Sequence, residues 1–152
     1  MIKLKVFWLK KHTEEKNLLL YRCIEEEYTL SLNITESNLF NNLLITNSQN
    51  SNIIYVISEF SFIPAEKSTI TLYSAEDLKL PSESMKDIPF EISCLSDSAK
   101  YPAFTELCTF NNASSLSKDR YIILLPGGTL IVKTNKSISR AALELKYMVE
   151  NL

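Results

Sequence analysis

Apolar and polar residues alternate with a period of two through most of this chain, and that period predicts strands. Residues 2–9 are β-like, with Leu4, Val6 and Trp8 on one face and Lys3, Lys5 and Phe7 on the other. Residues 18–24, 28–34 and 39–46 repeat the pattern. The last is closed by Asn47-Ser48-Gln49-Asn50-Ser51-Asn52, a polar run that reads as a loop. Residues 53–62 form the strongest predicted strand. Ile54, Val56, Phe60 and Phe62 share one face and Ile53, Tyr55 and Ile57 the other, so a central strand covered on both sides is expected. Pro64-Ala65-Glu66-Lys67 then turns the chain into residues 69–73, whose alternation suits a hairpin partner.

Residues 74–89 are polar and interrupted by Pro81, which predicts a loop with one helical turn, and residues 90–95 predict a short strand. Residues 96–119 are the longest predicted irregular stretch, polar but seeded with Tyr101, Phe104, Leu107 and Phe110. Connections of that length often carry function or cover an edge. Residues 120–125 predict a strand ending in Pro126-Gly127-Gly128, read as a hairpin turn from which residues 129–134 return. The end of the chain has two readings. As a helix it aligns Ala142, Leu145, Val149 and Leu152, and its residue types favour that state. As a strand it lines up Ala141, Leu143, Leu145, Tyr147 and Val149 against Arg140, Glu144, Lys146 and Glu150. Alternation unbroken over ten positions predicts the strand. The whole pattern predicts an all-β fold: a single antiparallel β-sandwich domain over residues 1–152, jelly-roll-like, with nine or ten short strands and little helix.

Composition changes this picture little. Hydrophobic residues make up 45% and charged residues 22%, as in ordinary globular chains. Only two glycines are present, so Asn, Ser, Asp and Pro must make most turns. A net charge of −2 provides no global attraction to nucleic acid, and no apolar run is long enough to insert in a membrane. The amino-terminal alternation of charge and apolar residues does not read as a secretory signal, so synthesis in a cytoplasm is expected. Cys23, Cys94 and Cys108 are odd in number and lack a CxxC pair, which predicts free thiols.

Candidate chemistry is sparse. His12 is the only histidine and sits in a charged turn-like stretch without a nucleophile motif. Neither the cysteines nor the acids Glu25 to Glu27, Asp77, Glu83 and Asp87 have a metal-loop spacing. The sequence therefore predicts no catalytic residues, no metal, no cofactor and no enzyme activity. Tyr101, Phe104 and Phe110 are the candidate contact residues, since aromatics are enriched at interface cores. The competing reading gives them a satellite core beneath the loop.

Two segments carry a resemblance. Residues 52–73 (NIIYVISEFSFIPAEKSTITLY) and 121–150 (YIILLPGGTLIVKTNKSISRAALELKYMVE) are similar to a β-sandwich module of tailed-phage structural proteins, among them head-fibre and tail-associated proteins. That module has an Asn-led central strand, a strand ending in "TLY", a "LPPG-T-L-V" hairpin and a final alternating strand. The chain departs from it in having Leu125-Pro126-Gly127-Gly128 where two prolines are usual. The resemblance implies a non-enzymatic virion protein, made in the host cytoplasm, that pairs with itself or with other virion proteins and meets a host-surface receptor. The same pattern resembles subunits of bacterial endospore appendages, which carry amino-terminal cysteines that this chain lacks before Cys23. A carbohydrate- or ligand-binding β-sandwich module is the alternative from another functional class.

Overall fold

The computed structural model describes residues 5–10, 27–76, 90–96, 105–111 and 120–152. Every regular element among them is a strand: β1 (Val6–Lys10), β2 (Tyr28–Thr46), β3 (Ile53–Pro64), β4 (Thr69–Glu76), β5 (Glu91–Leu95), β6 (Thr105–Asn111), β7 (Arg120–Leu124) and β8 (Gly128–Asn151). They form one antiparallel eight-stranded sheet in the order β1-β7-β3-β8-β2-β5, with β4 and then β6 branching from β8. The sheet does not close on itself. Two pairs of predicted strands, 28–34 with 39–46 and 129–134 with the carboxy-terminal segment, are each continuous, as β2 and β8. The predicted strand at 18–24 lies outside the described residues.

β8 organises the sheet. Its amino-terminal half is flanked by residues 42–46 of β2 and by β4, its carboxy-terminal half by residues 28–35 of β2 and by β3. Between the halves β2 and β8 both leave register around the Phe40–Ile138 pair, then resume the original pairing. Irregularities of this kind bend strands and increase twist. The exposed run Asn135, Lys136 and Ser137 marks the bend in β8. Ser68 fastens it: its hydroxyl donates to Asn135 Oδ1 (2.6 Å) and accepts from the Asn135 backbone N–H (3.0 Å). The Thr69 N–H donates to the same Asn135 oxygen at 2.9 Å.

The alternation sorts side chains as expected over residues 140–147 of β8, where Ala141, Leu143, Leu145 and Tyr147 are buried; beyond them Met148 is buried and Val149 only partly so. Along β3 it does not, and the reason is a bulge. Pairing with β8 slips by one residue between Ile57 and Glu59, so Ser58 is the extra residue. The phase flips there, and Tyr55 and Ile57 before it join Phe60 and Phe62 after it in one core. Apolar residues that the sequence distributes over two faces thus converge on one. The Ser58 hydroxyl donates to Lys146 O (3.2 Å) and to Glu27 Oε2 (2.8 Å), so the bulge buries a satisfied polar group.

Three further expectations are corrected. β3 and β4 do not pair with each other; they lie in succession along the same side of β8. β7 and β8 are likewise not hydrogen-bonded partners, so Pro126-Gly127-Gly128 carries the chain from β7, between β1 and β3, to the far half of the sheet rather than around a hairpin. Gly127 has φ of 86° there, and a Cβ on Gly128 would strike the backbone carbonyl of Lys5. Both glycines therefore have a steric reason. Finally, the stretch 96–119 is not wholly irregular, since β6 occupies part of it and pairs with β4.

Both halves contribute to one core. Leu43, Ile45, Ile70, Leu72, Leu130 and Val132 from one half belong to the same buried cluster as Phe60, Phe62, Ile122, Leu143 and Leu145 from the other. Phe90, just before β5, links them, with ring centroids 4.3 Å from Tyr55 and 5.1 Å from Tyr147. Aromatic pairs at these separations add stabilisation beyond their buried area.

Candidate assembly surface

Of the three aromatics singled out in the sequence, Phe110 is described. It stands on β6 opposite Ile70, half-buried, with its ring packed against the main core. Tyr101 and Phe104 lie outside the described residues, as do His12, Cys23, Glu25, Glu26, Asp77, Glu83 and Asp87.

Among the described residues, the titratable groups with resolved shifts are thiols and tyrosines held toward their neutral forms. Burial raises the Cys94 thiol to about 12, helped by the nearby Glu36 carboxylate. Burial also raises Cys108 to about 11. Tyr55 is raised by burial and then by Tyr147, and Tyr147 is raised by burial. These shifts keep the groups neutral, the reverse of what a nucleophilic thiolate needs. Among the described residues no group of three or more His, Cys, Asp or Glu side chains could hold a metal ion. No helix there is long and apolar enough to cross a membrane.

A prediction follows for the two described thiols. At pH 8 the thiolate fraction is about 10⁻⁴ for Cys94 and about 10⁻³ for Cys108, so alkylation of the native protein should be slow and should accelerate on unfolding. Their effect on stability has a definite sign. Below the ordinary thiol value of 9.0 both states are neutral and the contribution is complete. Above it the unfolded chain ionises first, so stability falls as pH rises from about 9 toward the folded values. Replacing both cysteines with alanine should flatten that decline in urea titrations at pH 8, 9 and 10. An unchanged slope would mean that these thiols titrate normally in the folded protein.

No family model, curated protein or solved structure matches this chain. The surface must be read from its own geometry. On the reverse face of the sheet, a groove of about 150 Å³ runs over Ala142 and Glu144, lined by Ser31 and Asn33 of β2 and Ser61 and Ile63 of β3. The small side chain of Ala142 opens it between larger neighbours. Small-molecule sites typically enclose roughly 300–1,000 Å³, so the groove is undersized for one.

The edges are more informative. β1 is five residues long and ends in Lys10, and β5 and β6 carry Glu91 and Glu106. Short length and charge are the usual devices that blunt a sheet edge. β2 differs. Among the described residues, the side of β2 facing away from β8 is paired only at Asn42–Thr46, by β5. Residues 28–35, YTLSLNIT, have no described strand on that side, carry no charge and contain no proline. Thr29, Ser31, Asn33 and Thr35 are exposed, while Leu30 and Leu32 are half-buried at the margin of the core. The sequence marks this segment as a strand through its alternation, but nothing local tells which strands lie beside it.

Proposed function

We propose that this chain is a non-enzymatic structural or attachment protein of a phage particle, working by self-assembly or by docking on other virion proteins. On this reading the two halves of the bent sheet act as the layers of a jelly-roll-like β-sandwich. What supports the proposal is the resemblance carried by residues 52–73 and 121–150, and, among the described residues, an uncharged stretch of β2, residues 28–35, that no described strand pairs on the side away from β8. The phage assignment itself rests on the resemblance of residues 52–73 and 121–150. Raised thiol and tyrosine values are in keeping with a structural role rather than a catalytic one.

Sedimentation velocity over a hundredfold range of concentration, with negative-stain images of the concentrated sample, tests the proposal. Reversible oligomers or ordered assemblies are expected. A strict monomer throughout, with no binding to phage particles, would remove the support for assembly.

A further inference from the structure

We propose that the outer face of the amino-terminal half of the sheet is the docking surface of this chain's own residues 97–104, with Tyr101 and Phe104 resting on Leu44 and Ile131. In that half the strands lie in the order β5-β2-β8-β4-β6. Leu43, Leu72 and Val132 point into the main core. One residue along each strand, Leu44, Tyr73 and Ile131 lie side by side and point the opposite way. Leu44, Ala75 and Ile131 are each 1% exposed, and with Tyr73 and Leu95 they form a second apolar cluster. All five belong to the sheet itself, so the cluster contains nothing that lies over them. Ser93, opposite Leu44, turns its hydroxyl to the same face, where the oxygen is buried and no described residue bonds it. Such a face calls for a cover that brings apolar groups and a backbone partner for the hydroxyl.

Chain connectivity selects the cover. Residues 97–104, outside the described residues, join β5 to β6, the two outermost strands of this half. Four strand spacings separate those strands, about 19 Å. The ends are also displaced along the strands: Leu95 is level with Asn42 and Lys133, and Thr105 with Ser74 and Leu130. The steps from Ser96 to Thr105 reach at most about 32 Å, enough for a direct diagonal but for little detour. The main core fills the inner face. At one end β2 and β8 continue unbroken through the bend, and at the other the Asn47 loop and the Gly127-Gly128 turn, hydrogen-bonded to each other, stand in the way. The diagonal over the outer face passes Leu44 and Ile131, and residues 97–104 carry Tyr101 and Phe104 to meet them. Residues 77–89 also border this face, but they leave Glu76 and return to Phe90 at the same end of the sheet, so nothing obliges them to cross. Tyr101 and Phe104 thereby serve the satellite core of this chain and not a contact with another molecule.

Nuclear Overhauser contacts in the full chain test the placement. With Ile and Leu methyls labelled, cross-peaks from the Leu44 or Ile131 methyls to the Tyr101 or Phe104 ring are expected in dilute samples. Phe104→Leu and Tyr101→Leu should each delete their own cross-peaks while the methyl contacts of Ile122 in the main core persist. An equimolar mixture of methyl-labelled and ring-labelled chains should show none of them, because the cover is internal. Cross-peaks confined to that mixture would put a second copy over the face and overturn the proposal. Leu44 and Ile131 methyls that contact neither ring would overturn it as well.

Discussion

Replacing Asn47 with alanine should lower the unfolding free energy by about 3 kcal/mol or more, although Asn47 lies in a polar loop. Its side chain is fully buried. Nδ2 donates to Ile53 O (2.7 Å) at the start of β3 and to Leu124 O (3.0 Å) at the end of β7. Oδ1 accepts from the Ser51 hydroxyl at 2.6 Å. The backbone joins as well: Asn47 N–H donates to Gly128 O (3.0 Å) and Gly127 N–H to Asn47 O (2.7 Å). One residue thus ties β2, β3, β7 and the Gly127-Gly128 turn together. Alanine would take the Nδ2 donor from the Leu124 carbonyl and leave the part-buried Ile53 carbonyl only the longer Ser51 hydroxyl contact (3.4 Å), at about 1–3 kcal/mol for each bond lost.

The near-isosteric Asn47→Asp separates hydrogen bonding from packing. At pH 7 its carboxylate would face two carbonyl oxygens, so the loss should be at least as large as with alanine. Such a carboxyl has a raised folded pKa, so its stability deficit shrinks at low pH and grows as pH rises. Urea titrations at pH 4 and 7, each referenced to wild type, check this. A loss within about 0.5 kcal/mol for Asn47→Ala, the range of an ordinary surface substitution, would mean that the loop is held by other contacts.

A still larger loss is expected for Leu145→Glu. Leu145 is fully buried, opposite Leu30 on one side and Phe60 on the other. A carboxylate there has no partner, and its desolvation costs several kcal/mol out of a total stability of roughly 5–15 kcal/mol. The variant should be largely unfolded, or should fold only where the carboxyl is protonated. Its neighbour supplies the control. Lys146 points to the other face, and its ion pair with Glu59 (3.4 Å) joins side chains that are 38% and 43% exposed. Screening in that setting limits Lys146→Glu to about 1 kcal/mol or less. Far-ultraviolet circular dichroism with urea unfolding separates the two. Equal, mild effects would contradict the placement of β8 in the centre of the sheet.

Much of the fold follows from period-two alternation alone: the strand character of the chain and the choice of strand over helix at its carboxy-terminal end. The buried set Ala141, Leu143, Leu145 and Tyr147 follows as well. These are local properties, because side-chain direction in a strand is fixed by the backbone. Partnership is not local. Which strands pair, and that β3 and β4 share one side of β8 instead of forming a hairpin, depends on chain ends brought together over long separations. The bulge at Ser58 illustrates the limit. One extra residue reverses the facing of all that follow, and the apolar pattern of residues 53–62 looks two-sided until that slip is known. Asn47 shows the same for polar groups. A polar loop reads as solvated from sequence, and only the converging ends of β3 and β7 turn its amide into a buried hub. The candidate surface divides likewise: the sequence determined the uncharged, alternating order of residues 28–35, and tertiary structure decided that β8 takes one side of that strand, because pairing joins residues far apart in the chain.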